Sequence, residues 1–416
     1  MTIAKTEIYV YAHWVGMPEP MLMGTLTAQH TKGRKSFSFT YSKQWLSRKE
    51  TLLLDPEIGL FAGPQFPKTG SNFGVFSDAM PDTWGRTLMK RRAAQLAKAE
   101  GSPAPMLHEI DFLLGVSDTC RMGALRFKTD PEGPFLGDDS NLPVPPWASI
   151  GELQYVAGLA ESDEDSTELR KWLGMLMAPG SSLGGARPKA NVADKNGNLW
   201  IAKFPSKNDT IDKAKWEFLA YRLAIAAGIN MSESKIEKVS GQYHTFFTKR
   251  FDRNTHDRVH FASAMTMTGN HEEQLRDNRA SYLDIALFIQ NHCSDVNKNL
   301  AELWRRIVFN IAVSNTDDHL RNHGFIALNG SWQLSPAFDI NPSVDKDELS
   351  LNIDDNSGEL NFDIALGVAE YFRLEPDDAI QILSEVTQAV SPWEKIAKQI
   401  GINRSEIELM QAAFRF

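Results

Sequence analysis

The stretch VSNTDDHLRNHGFIALNGSWQLSPAFDI, residues 313–340, gathers three aspartates, two histidines and Asn322 around a tight reversal of the chain. Asp317 lies five residues before Asn322, and Asn322 lies seventeen before Asp339. Between them, GFIAL and SWQLS flank Asn329-Gly330, the two-residue signal most favoured for a β-hairpin. A hairpin returns the chain to its start, so Asp339 is expected beside Asn322 and Asp317. One acid, one amide and a second acid around a pocket suit phosphoryl transfer. One aspartate orients the attacking hydroxyl and accepts its proton, while the amide and the other aspartate hold magnesium on the phosphates. Two other readings stand beside this one. The polar residues could cap helices and turns, or Asp317, Asp318, His319 and His323 could ligate the metal of a phosphohydrolase or nuclease. The last is weakened because histidines four apart here lack the glutamate of H-E-x-x-H.

The rest of the chain bounds these readings. At 416 residues two or three domains are expected. Hydrophobic residues at 42% suffice for packed cores. Cys120 and Cys293 are the only cysteines, which excludes a disulfide framework and a cysteine-built zinc site. No signal-peptide pattern and no membrane-length apolar run occurs, so a cytoplasmic protein is expected. A net charge of −9 argues against a chain that coats nucleic acid by itself. Arg86, Lys90, Arg91, Arg92 and Lys98 read as the solvated face of one helix.

Alternating strands are expected over residues 1–60, in EIYVYAHW, MLMGTL and KSFSFTYS. A helix over Thr83–Ala99 with Asp82 as N-cap follows, then a strand in RMGALRF. The Pro- and Gly-rich segment 129–148 reads as a linker. Helices are expected over 149–161 and 167–177, and a glycine-rich turn in SSLGGARPK. A strand ends near Lys203, and a helix over 213–227 stops at Gly228. TFFTKRFDR, 245–253, reads as a further strand, and helices dominate from 280 onward. The domains read as 1–128, β-rich; 149–255, a small lobe; and 256–416, a helical lobe.

A phosphoryl-transfer site demands a glycine-rich turn and a strand lysine upstream, and both are present in order. Gly184 and Gly185 can adopt positive φ and let amides approach phosphates, although Pro188 has no N–H to offer. Lys203, in WIAKF, stands eighteen residues past Gly185 and is suited to hold phosphates. Glu217 on the next helix could pair with it, or be a surface glutamate.

FSDAMPDTWGRTLM, RMGALRF, SSLGGARPK, WIAKFP, KRFDR, NTDDHLRNHGF, LSPAFDI and LSLNIDD run in order from residue 75 to about 355. In this set the chain resembles the HipA family of serine/threonine kinases, the toxins of type II toxin–antitoxin pairs. The resemblance implies an α+β, two-lobed protein-kinase-like fold using ATP and Mg²⁺. It implies Asp317 as catalytic base, with Asn322 and Asp339 as magnesium ligands. Nucleotide contacts would come from Gly184, Gly185, Ala186, Arg187, Pro188, Lys189, Lys203, Lys249, Arg250, Phe251, His319, Leu320, Arg321, Asn322, Phe338 and Asp339. Autophosphorylation at Ser182, or its neighbour Ser181, would eject the loop and silence the enzyme; the added negative charge would repel ATP. Implied partners are a HipB-like helix-turn-helix antitoxin, DNA mainly through it, and a protein substrate, by resemblance an aminoacyl-tRNA synthetase. Translation and growth would stop and persistence follow. An inactive kinase fold serving as corepressor or scaffold is the alternative. Three positions depart from the family pattern: Lys249 where an acid is common, Asp318 where glycine is frequent, and Arg187-Pro188 for a polar pair.

Overall fold

The structure, a computed structural model, describes residues 5–31, 34–49, 52–68, 72–137, 144–162, 185–254, 257–275 and 278–416. Ser181, Ser182, Gly184 and the helix expected over 167–177 lie outside the described residues. The fold is α+β. Two compact units form: Met1–Lys207 with Arg250–His271 and Ile326–Gly330, and Asn208–Lys249 with Glu272–Phe325 and Ser331–Phe416.

The first unit opens on an antiparallel sheet in the order β3-β2-β1-β4: β1 Lys5–Ala12, β2 Met21–Thr31, β3 Arg34–Tyr41 and β4 Leu125–Lys128. Period-two patterning sends Ile8, Val10, Leu26, Phe37, Phe39 and Phe127 inward, each at most 1% exposed. Burying such side chains contributes about 1.5–3 kcal/mol each. Gly24 pairs with Val10 where β1 changes register, and a Cβ there would stand 2.3 Å from the Thr40 carbonyl oxygen.

The Thr83–Ala99 helix begins where the sequence predicts, with the Asp82 carboxylate accepting from the Gly85 N–H at 2.8 Å. Its basic face is less solvated than expected. Arg86 makes a bidentate pair with Glu109 at 2.6 and 2.9 Å and lies over the Phe112 ring. The strand expected across RMGALRF starts only at Leu125. Gly123 has φ +73°, which bends the preceding segment. The buried Arg121 guanidinium there donates to the carbonyls of Ala79, Leu113 and Val116. β5 (Lys189–Ala193) and β6 (Leu199–Lys203) pair antiparallel around a turn at Asn196-Gly197, with Lys189 opposite Lys203. The end of the expected linker joins them, since the Pro145 carbonyl accepts from the Ala193 N–H at 2.9 Å.

In the second unit the Lys213–Ala226 helix ends, as expected, before Gly228 at φ +78°. Ser234–Glu237 and Thr245–Lys249 pair antiparallel as a hairpin. The strand expected through Arg253 stops at Lys249, where the chain turns. The Val296–Ala312 helix packs against Tyr282–His292 and Pro376–Val390. Leu300, Leu303, Trp304, Ile307 and Ile311 form its apolar stripe, all fully buried.

Candidate active site

Three polar residues interrupt that stripe, and they do the positioning. Asn299, Arg306 and Asn310 are spaced by seven and four, so they share one helical face. All three are buried. Asn299 Oδ1 accepts from the Leu334 N–H at 2.8 Å, and Arg306 Nη2 donates to the Ser335 carbonyl at 2.8 Å. The two thus hold the end of the Ser331–Leu334 strand. The Ser335 N–H donates to the Gly324 carbonyl at 2.8 Å, closing the reversal that turns at Asn329 (φ +52°) and Gly330 (φ +77°). The hairpin expected from Asn329-Gly330 is therefore present.

Asn310 reaches the loop itself. Its Nδ2 donates to Asp318 Oδ2 at 2.9 Å, and the Tyr282 hydroxyl donates to the same oxygen at 2.5 Å. His323 Nε2 lies 2.7 Å from that oxygen. Burial, then the Asp318 charge, keep the Tyr282 proton on well above the usual phenol range. Asp318, 3% exposed, is thus the buried anchor of the loop, and its neighbour Asp317 is exposed at the surface.

The Asn322 Nδ2 donates to the Asp317 carbonyl at 3.2 Å, which fixes the amide plane across the loop. Its Oδ1 is buried with no hydrogen-bond partner among the described residues. Such an orphan acceptor is costly unless something else binds it. A hard cation such as magnesium takes this kind of oxygen, so the donor set fits the ion. Asp339 sits at φ +59°, a left-handed conformation uncommon for a non-glycine residue. Its Oδ1 accepts from Asn341 Nδ2 at 3.2 Å, and the Asn341 N–H donates to Asn315 Oδ1 at 3.1 Å. Asn315 precedes Asp317 by two residues, so the segments of Asp317, Asn322 and Asp339 are tied together inside one unit.

These contacts count against the hydrolase reading. Asp318 and His323 are bonded to each other in the interior. Among the described residues no three His, Cys, Asp or Glu side chains converge as a metal-binding group. Of the other residues expected at the nucleotide, Leu320 is a fully buried core side chain, Arg321 pairs with Glu272 at 2.9 Å, and His319 and Phe338 are half-buried. Glu217 is buried too, at 7% exposed, which removes the surface-glutamate reading.

The first unit places the upstream motifs. Gly185, at φ +99°, and Ala186 are exposed, Arg187 is half-buried, and Pro188 gives its carbonyl to the Phe204 N–H at 2.9 Å. Lys203 ends β6, 8% exposed. Lys189 is committed elsewhere: its Nζ pairs with Asp82 Oδ2 at 2.8 Å, both side chains almost wholly buried. Trp84 Nε1 donates to the Lys189 carbonyl at 3.0 Å. The start of the Thr83–Ala99 helix therefore grips the turn from Gly185 to Lys189, a contact the sequence reading missed.

Arg250 is likewise internal. Its guanidinium donates to the carbonyls of Cys120 and Arg121, to Asn191 Oδ1 and to Asp252. Burial alone would raise the Asp252 carboxyl, but the Arg250 and Arg253 charges bring it down to about 2. Only the main chain of Arg250 is left for a ligand, and its N–H already donates to the Leu199 carbonyl at 2.9 Å. Phe251 packs on Phe261, and Lys249 lies 3.8 Å from Glu233.

A family model described as the HipA-like C-terminal domain matches residues 181–393, just over half of the chain. The chain belongs to the HipA-like C-terminal domain family. A Haemophilus influenzae protein named "Putative kinase" is 28% identical over 179 residues, 38% of this chain and 52% of that protein. The chain thus spans about half the length of this curated relative. Among solved structures, a chain from the Shewanella oneidensis MR-1 toxin–antitoxin complex of HipA, HipB and operator DNA has a TM-score of 0.68 at 17% identity. That likeness covers 98% of this chain and 94% of the other, so the two chains share a fold over nearly their whole length. The Helicobacter pylori proinflammatory kinase CtkA aligns at 17% identity and TM-score 0.36, over 53% of this chain and 94% of its own. The HipA-like match contains the loop, the hairpin and the strand lysine. The Asp82–Trp84 grip on the turn comes from outside it.

No helix among the described residues is long and apolar enough to cross a membrane.

Proposed function

We propose that the protein is a Mg-ATP-dependent serine/threonine protein kinase of the toxin type. In this reading Asp317 accepts the proton of the attacking hydroxyl. Its exposure beside a rigid loop supports the role, because a base must meet a substrate hydroxyl without itself moving. Asn322 Oδ1 and the Asp339 carboxylate would hold magnesium, which supplies charge neutralisation at the transferring phosphate. Lys203 would hold phosphates, and the segment Gly184–Lys189 would approach them through its main chain. The observation that carries the reading is the orphan Asn322 Oδ1, buried at the N of a D-x-x-x-x-N loop and bound to the Asp317 carbonyl through its own Nδ2.

The finer parts of the reading follow from the family. The target is a cytosolic protein, an aminoacyl-tRNA synthetase by resemblance, whose modification stops translation and favours persistence. Autophosphorylation of Ser182 or Ser181 turns the enzyme off. A HipB-like antitoxin binds the chain and carries most of the DNA contact, consistent with the net charge of −9. The solved Shewanella complex contains HipA, HipB and operator DNA together.

The test is incubation with Mg-ATP followed by intact-mass and peptide mass spectrometry, with Asp317→Asn in parallel. One added phosphate on the 181–182 pair is expected for the wild type and none for the variant. Equal labelling of both proteins would remove Asp317 from its role, and no labelling of any protein would favour the scaffold alternative.

A further inference from the structure

We propose that Asn341 is a positioning residue for the Asp339 carboxylate, set by a one-way hydrogen-bond chain that ends on Asp318. This rests on the reading of Asp339 as a magnesium ligand. The chain runs from the Asn341 N–H to Asn315 Oδ1 (3.1 Å), from Asn315 Nδ2 to Asn310 Oδ1 (3.1 Å), and from Asn310 Nδ2 to Asp318 Oδ2 (2.9 Å). Its two ends fix its direction. A backbone N–H can only donate and a carboxylate can only accept, so each amide between them has a single permitted orientation. Every link donates toward Asp318, and aligned links of this kind polarise and strengthen one another in a low-dielectric interior.

The donor end of the chain controls Asp339. With its own N–H held, Asn341 places its Nδ2 on Asp339 Oδ1 at 3.2 Å. The aspartate is meanwhile kept at φ +59°, a conformation that persists where its surroundings enforce it. Magnesium tolerates little departure from octahedral geometry, so a ligand whose carboxylate plane is fixed beforehand binds it better. Asn341 is half-buried and lies outside the apolar core, whereas Asn310 and Asn315 are buried. Asp318 is thus coupled to both ends of the site, through the Asp317–Asn322 loop on one side and through the asparagines on the other.

The experiment titrates Mn²⁺ into the full-length protein with a non-hydrolysable ATP analogue, following bound metal by electron paramagnetic resonance. Analogue affinity without metal and the thermal midpoint are measured beside it. Asn341→Ala should weaken Mn²⁺ binding about tenfold, as removal of a group that orients a ligand does, and leave metal-free analogue affinity and the midpoint as in the wild type. Asn315→Asp keeps an acceptor for the Asn341 N–H but sets a carboxylate oxygen against Asn310 Oδ1, and should weaken Mn²⁺ binding similarly. Wild-type metal affinity in Asn341→Ala, with Asp339→Asn having lost the metal, would overturn the proposal alone. Equal loss of metal-free affinity or of the midpoint in Asn341→Ala would overturn it as well, showing a general packing role. A wild-type protein without any Mn²⁺ response would take down the kinase reading and this proposal with it.

Discussion

Asp317 and Asp318 are adjacent and chemically identical, yet the structure assigns them opposite consequences. Asp318→Ala removes one oxygen that accepts from Tyr282, Asn310 and His323. Each buried donor left without an acceptor costs about 1–3 kcal/mol. Asn310 Nδ2 already lies 3.2 Å from the Tyr282 hydroxyl, so part of the loss is recovered by re-pairing. The net is about 4 kcal/mol, in the range for removing one partner of a buried polar pair. At about 2–4 °C per kcal/mol for a domain of 150–250 residues, the thermal midpoint should fall by roughly 10 °C. Asp317→Ala removes an exposed carboxylate and should change stability by less than about 0.5 kcal/mol, while abolishing phosphate transfer. Thermal unfolding of both variants without nucleotide, read by near-ultraviolet circular dichroism, checks the contrast. Equal midpoints, or a larger drop for Asp317→Ala, would refute the assignment of anchor and base.

Further outcomes are expected in the first unit. Lys189→Met or Asp82→Leu alone leaves a buried uncompensated charge and should destabilise by about 3–5 kcal/mol. The double variant should recover much of this, and additive losses in urea unfolding would count against the pair. Asp252, with a folded pKa of about 2 against an ordinary value of 3.8, contributes stability that is complete above pH 4 and lost as pH falls from about 4 to about 2. The contribution is about 2 kcal/mol, and Asp252→Asn should flatten unfolding free energy against pH over that window. A slope unchanged by the variant would show that other groups dominate there. Finally, Trp84→Phe removes the donor to the Lys189 carbonyl and should raise the KM for ATP more than it lowers kcat, if the grip sets the phosphate turn; steady-state kinetics separate the two.

The local elements are legible where one short-range signal decides them. Asp82 caps its helix, Gly228 ends another, and Asn329-Gly330 turns the hairpin, because capping and positive φ are decided within a few residues. The strands in RMGALRF and TFFTKRFDR are shorter than their alternation suggests. Alternation there reflects burial that buried arginines share with apolar side chains, and Arg121 and Arg250 each serve several main-chain carbonyls contributed from elsewhere in the sequence. Lys189 illustrates the same limit at the candidate site. Its position in SSLGGARPK suggests a phosphate contact, but its partner Asp82 stands about a hundred residues upstream and reads as a helix cap.

The supports of the loop are less visible than its working residues for a physical reason. In the proposed kinase reading, Asp317, Asn322 and Asp339 would be spaced by the needs of one ion and one hydroxyl, which leave a local pattern. The residues that hold them answer to packing, and their pattern is helical. Asn299, Arg306 and Asn310 fall on the otherwise apolar face of their helix, and buried polar groups persist in such a place only when each finds a partner. On that basis the asparagine inside IVFNIAV already announces a polar target packed against the helix. That target is Asp318. An aspartate there would be a buried charge with nothing to bind it, were it not for Asn310, Tyr282 and His323. Asp318 and its three partners therefore act as one unit: replacing Asp318 by glycine leaves Tyr282, Asn310 and His323 all without that oxygen, and thermal unfolding should show Asp318→Gly lowering the midpoint at least as far as Asp318→Ala.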